Sequence, residues 1–250
     1  MCGSETRFSY NYGMSQDIDA VLSDWPRQPD EVQTRVITAG DGREVLQIRI
    51  DLGVLQLETS GRPDGVRPHG FATYFDYLKS LTGRRKKEFV MNASQCAEAD
   101  REFVQFYHRR VGWLSQRRFE PAVADADHTL AFMDFVRDHS PAEEYTRAHE
   151  QYRGFVLFHR TQAAAAAAVE RGKHEQAIDE IRAGLSQIRR LHDDEGEADN
   201  EIIQTLERMA QSLREQHGID STLREQLERA IAAEEYEAAA RLRDALRQRE

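Results

Sequence analysis

The chain has 250 residues, 40% of them hydrophobic, with 34 Lys and Arg against 44 Asp and Glu for a formal net charge of −10. That length supports one or two compact domains with an appended module, and the acidic balance argues against broad adhesion to nucleic-acid phosphates. Cys2 and Cys96 are the only cysteines and lack Cys-x-x-Cys spacing, which excludes a disulfide framework and a cysteine-rich zinc site, and no apolar run is long enough for a membrane span or a signal peptide.

Residues 1–30 mix Gly, Ser, Asn, Asp and Pro with little periodicity and read as a flexible segment. Within it Ile18, Val21, Leu22 and Trp25 are spaced for a short helical turn that docks. Met1 and Met14 are both compatible starts. Met1-Cys2-Gly3 resembles the opening of glutamine amidotransferases with an N-terminal catalytic cysteine. Ser4 and Glu5 come next, however, where that family has an apolar pair, so Cys2 reads as a tail thiol.

Residues 31–94 form a small α/β unit. From Val32 to Thr59 the period changes to two, with Leu46, Ile48 and Ile50 on one face and Gln47, Arg49 and Asp51 on the other. Gly40-Asp41-Gly42 and Leu52-Gly53 punctuate the run, which predicts a three-stranded antiparallel meander over 34–39, 44–51 and 54–59. A helix over 73–81, carrying Tyr74, Tyr77, Leu78 and Leu81, is the expected cover. Between them Gly61-Arg62-Pro63-Asp64-Gly65 and Arg67-Pro68-His69-Gly70 make a turn-rich loop. Arg62, Arg67 and His69 are its candidate anion-binding residues. Arg84-Arg85-Lys86-Lys87 comes after them as a short basic block. It offers a local phosphate contact, with no stacking aromatics of a single-strand binder beside it.

Residues 95–193 are helical in pattern. Trp113-Leu114, Phe119-Glu120-Pro121-Ala122 and Leu130 resemble a tetratricopeptide helix pair, as do Ala164, Ala165, Gly172, Ala177 and Leu185. Ala122 and Ala177 lie 55 residues apart (177 − 122), beyond that repeat's period of about 34, so an insertion near 137–157 is required. Arg110 departs from the pattern, standing where a small residue is expected. The six alanines from Ala163 to Ala168 read as a buried helix that permits close crossing. Asp125, Asp127, His108, His128 and His139 lack His-x-x-x-His or Glu-x-x-His spacing and read as hydrogen-bonding groups, with no metal site expected.

An acidic, Gly-containing break from His192 to Glu197 leads into the linker of residues 194–218, with a connecting amphipathic helix carrying Ile202, Ile203, Leu206, Met209 and Leu213. The break suggests that the C-terminal module is displayed away from the body. In 219–250, Leu223, Leu227, Ala230 and Ile231 line one helical face, and Tyr236, Ala239, Leu242 and Leu246 line another. Thr222 with Glu225 forms a capping box, and Gly218 suits a left-handed C-cap. Glu225 to Arg229 and Glu237 to Arg241 are i,i+4 pairs worth roughly 0.2–0.5 kcal/mol each. About thirty residues are too few for an independent core, so the hairpin gains stability by docking on another hairpin or on its own body.

Ser221-Thr222-Leu223 and the run from Glu234 to Asp244 resemble the UVR motif, a helical hairpin of excinuclease subunits B and C and of some chaperone and arginine-kinase regulators. The resemblance implies a protein-docking element and supplies no chemistry. The paired zinc-binding cysteines of the arginine-kinase activators are missing here.

The expected architecture is mainly α: tetratricopeptide-like helix hairpins, a small N-terminal antiparallel β-meander and a C-terminal UVR-type hairpin. The expected function is a cytoplasmic, non-catalytic adaptor without cofactor, in DNA repair or protein quality control. Its contact residues would be Leu227, Ile231, Tyr236, Ala239, Leu242 and Leu246, with Glu235 and Arg243 at the rim. By resemblance the partner is an excinuclease subunit or a Clp-type component, and a twofold homodimer is compatible with one hairpin pairing with its copy. The rival readings are a nucleic-acid-associated accessory using Arg84 to Lys87 and an enzyme with its site at the Gly61 to Gly70 loop.

Overall fold

The computed structural model describes residues 18–83, 89–195 and 200–248. Cys2, Met14, the basic block Arg84 to Lys87, and Gly196 with Glu197 lie outside them. The molecule is mainly helical, with a small antiparallel sheet near its start and a helical hairpin at its end.

The sheet has β1 (Thr34–Thr38), β2 (Glu44–Ile50) and β3 (Gly53–Glu58) in the order β1-β2-β3, with Val36 opposite Leu46 and Leu46 opposite Leu57. Its apolar face, Leu46, Ile48 and Leu57, packs in one cluster with Trp113 and Phe119. The backbone of α3 (Ala93–Ser115) comes so close that a Cβ on Gly112 would lie 2.5 Å from Leu46 Cδ2, so any larger residue there would have to displace the buried Leu46 side chain. The alternation places Gln47 and Arg49 in water, but both are buried. After α1 (Asp19–Ser23), Trp25 lies against that second face. Arg49 donates to the carbonyls of Trp25 and Gly53, both at 2.9 Å; Gln47 joins Arg35 and Gln56; and Arg35 lies over the Trp25 ring at 4.2 Å. Period two shows which side chains share a face, not whether both faces are covered.

The helix α2 (Tyr74–Thr82) is capped by Thr73, and α3 by a capping box of Asn92 and Gln95. The body continues with α4 (Phe119–His139), α5 (Glu143–Glu150) in the expected insertion, α6 (Arg153–Glu170) and α7 (His174–Glu195). α4 and α6 zip together through Glu120–Arg171 at 3.0 Å, Asp127–Arg160 at 2.5 Å and Asp134–Arg153 at 2.9 Å. Ala163 and Ala167 are buried against Phe119 and Ala122 of α4, while Ala165 and Ala168 are buried on the other side of α6 with α7 residues such as Ala177 and Ile181. Gly184 is equally forced: a Cβ would lie 2.0 Å from Thr161 Oγ1. α7 runs through Glu195, further than the acidic composition predicts, and α8 (Asn200–His217) buries Ile203 and Leu206 in one core with Ile181, Leu185 and Ile188 of α7. The connecting helix is thus part of the body, and the chain does not hold its end away from it.

One turn geometry recurs in three hairpins: α3–α4, α6–α7, and α9 (Leu223–Ala232) with α10 (Tyr236–Arg247). Arg117, Gly172 and Glu234 take positive φ of 55°, 71° and 58°. The next N–H, of Arg118, Lys173 or Glu235, bonds back to the carbonyl of Trp113, Ala168 or Ala230, a Schellman closure. The carbonyl of that same residue then accepts from Ala122, Ala177 or Ala239, each buried where the two helices meet. The shared sequence is an aromatic or His, then Glu, one residue, then Ala: Phe119-Glu120-x-Ala122, His174-Glu175-x-Ala177, Tyr236-Glu237-x-Ala239.

Candidate protein-docking surface

The C-terminal hairpin is held by local rules. Gly218, with φ of 62°, ends α8, and Thr222 and Glu225 form the expected capping box at distances of 3.2 and 2.7 Å. Ala230 and Ala239 are buried between α9 and α10, so Ala239 belongs to the hairpin's own seam and not to a contact surface. Leu227, Leu242 and Leu246 are half-buried, while Ile231 is 55% and Tyr236 70% exposed. Glu235 and Arg243 are exposed at the rim, Arg243 leaning on Asp244. A hairpin that leaves this much apolar surface in water has burial still to gain from a neighbour.

Polar groups join the hairpin to the body. Thr222 Oγ1 donates to Asp179 at 2.7 Å and Leu223 N–H to Glu175 at 3.1 Å. Arg182 of α7 reaches Glu225 at 3.2 Å and Glu228 at 2.9 Å, and Arg214 of α8 reaches Glu225 at 2.6 Å. Glu225 is therefore turned toward the body, and Arg229, expected as its partner, donates instead to the Glu225 backbone carbonyl. Burial pushes the Asp179 carboxyl above its ordinary value. Burial also acts to raise Glu225, but the hydrogen bonds from Arg214 and from the Thr222 N–H outweigh it and hold that carboxyl below its ordinary value. A cavity of about 790 Å³ opens beside this joint, walled by Gly172, His174, Ile219, Arg224 and Leu246. Leu246 therefore lines this cavity.

The sequence pattern missed this joint. Its signal is the row Glu175, Asp179, Arg182 on one face of α7, charged where a covered helix is usually apolar.

The structure takes Arg62 out of the expected anion site. Arg62 is 2% exposed, with Glu98 at 2.5 Å and Asp64 at 3.3 Å, while Arg67 and His69 are exposed and the His69 ring stacks on Tyr77. A guanidinium already held by two carboxylates inside the fold is a structural tie, one that the turn chemistry of the loop concealed. Beside it Glu102, fully buried, accepts from the N–H groups of Tyr74 and Phe75 at 2.6 and 3.0 Å and so caps α2.

Asp125, His128 and His139 of the first hairpin are likewise engaged. Asp125 holds Arg109 through two bonds of 2.9 and 2.7 Å, His128 lies 3.1 Å from Glu102, and His139 Nδ1 lies 2.9 Å from the Phe89 carbonyl. Among the described residues no group of His, Cys, Asp and Glu is placed to hold a metal ion. Arg110, the departure from the repeat pattern, is buried with its Nη1 on Thr129 at 3.1 Å and its Nε on His159 at 3.3 Å. Desolvation brings its pKa down to about 10, and burial beside this cation brings His159 down to about 4.

Among the described residues no helix is long and apolar enough to cross a membrane. Comparison with curated proteins and with solved structures finds no match. Residues 221–248, which span the open hairpin, match the model of the UvrB/uvrC motif, UVR, so this chain carries a UVR motif, one associated with protein interaction and DNA repair.

Proposed function

We propose that this protein is a non-catalytic adaptor that docks a partner protein through its UVR hairpin, in DNA repair or protein quality control. One observation carries the reading: the motif-bearing hairpin meets its own body through ion pairs and hydrogen bonds while Ile231 and Tyr236 stay in water beside half-buried Leu227 and Leu242. Exposed apolar side chains on a rigid, capped scaffold supply the desolvation energy of a docking site. By the motif's known settings, an excinuclease subunit or a Clp-type component is the partner class, and the cytoplasm is the compartment.

The test is co-purification from native lysate of the full chain and of an Ile231→Asp, Tyr236→Asp variant. Both positions are exposed, so the variant keeps its fold, checked by circular dichroism. Loss of the co-purifying proteins supports the reading. Recovery of the same proteins by both chains removes it.

A further inference from the structure

The three hairpins share a turn but differ in how the first residue after it is covered. Phe119, first residue of α4, is 8% exposed and clusters with Ala163 and Ala167 from the C-terminal half of α6. His174, first residue of α7, stacks at 3.5 Å on His217, last residue of α8. In each case a later helix of the chain lies antiparallel across the same place. Tyr236, first residue of α10, is 70% exposed.

The charges at this place have counterparts as well. Counted from the turn, Glu237 and Asp244 of α10 hold the positions of Glu120 and Asp127 of α4. Those two acids meet Arg171 and Arg160, which stand eleven residues apart near and on α6, about three helical turns. The small Ala163 and Ala167 lie between the two arginines and leave room for the aromatic ring. Glu237 and Asp244 are exposed. The match is not complete: Arg243 stands where α4 has the fully buried Ala126 and Arg247 where it has Leu130, both packed in one cluster with Val156 of α6.

We infer that the outer face of α10 receives a helix of a different protein, antiparallel to α10, with two basic residues three turns apart, small residues between them, and polar acceptors toward Arg243 and Arg247. The inference rests on the docking reading and gives it a face and a partner chemistry. A second copy of the hairpin does not meet this description, because Arg241, Arg243 and Arg247 of α10 and Arg224 and Arg229 of α9 contain no pair eleven residues apart.

The probe is a synthetic, labelled peptide of residues 157–173, which carries Arg160, Ala163, Ala167 and Arg171, titrated by fluorescence anisotropy into the full chain. Saturable binding is expected, weakened about tenfold by Glu237→Arg with Asp244→Arg and recovered when the peptide carries Arg160→Glu and Arg171→Glu. Absence of saturable binding, or equal binding by the charge-reversed chain, overturns the inference. So does a dimer seen by light scattering that the same reversal dissociates, since the occupant is then a second copy. If Ile231→Asp with Tyr236→Asp loses the co-purifying proteins while Glu237→Arg with Asp244→Arg retains them, docking stands and the partner chemistry falls.

Discussion

The α6–α7 and α9–α10 hairpins close with the same three-residue turn and the same buried alanine, yet one is core and the other is surface. Ile178, Ile181 and Ile188 of α7 are fully buried because α6 packs on one side and α8 on the other. On α10 Ala239 is buried, and Tyr236, at the place of His174, lies open. A local motif thus specifies a hairpin, whereas its role depends on whether a further helix arrives to cover it.

The contrast can be broken most forcefully in the body. Arg109→Ala strands the Asp125 carboxylate at 4% exposure, and is expected to cost about 3–5 kcal/mol in urea denaturation. Ile181→Ala leaves a cavity between α7 and α8, with an expected loss of about 2–5 kcal/mol by the same measurement. Either result near zero would mean that the body hairpins are no better packed than the terminal one.

His159 sharpens the comparison through pH. Its folded pKa is lowered to about 4 by burial and by Arg110, so its contribution is complete above the unfolded value of about 6.5 and is lost as pH falls from there toward 4. Stability should drop by up to about 3 kcal/mol across that window. His159→Gln should flatten this part of the curve.

The smallest effects belong to the terminal hairpin. Thr222→Ala removes both the cap and the bond to Asp179 and should cost about 1 kcal/mol. Tyr236→Ala should change stability by less than about 0.5 kcal/mol. Hydrogen exchange should show α9 and α10 opening at lower free energy than α6 and α7; equal protection would mean that the polar joint holds the hairpin as firmly as a core does.

Much of this was legible residue by residue. The strands fall within a residue or so of the alternating run, and Thr222 and Glu225 cap α9. Four of the six alanines from Ala163 to Ala168 are buried, as propensity and size imply. The misses share one cause. Gln47 and Arg49 look like solvent residues until the Trp25 segment reaches them, and Arg62 looks like a free cation until Glu98 arrives from α3.

The amino-acid sequence by itself determined the helices, their caps and the recurring turn, because each rests on interactions between residues at most five apart. Tertiary structure alone decided which of three like hairpins would be sealed and which left open. Burial depends on chain segments dozens of residues away, and α6 reaches α4, and α8 reaches α7, while among the described residues Tyr236 remains open to solvent.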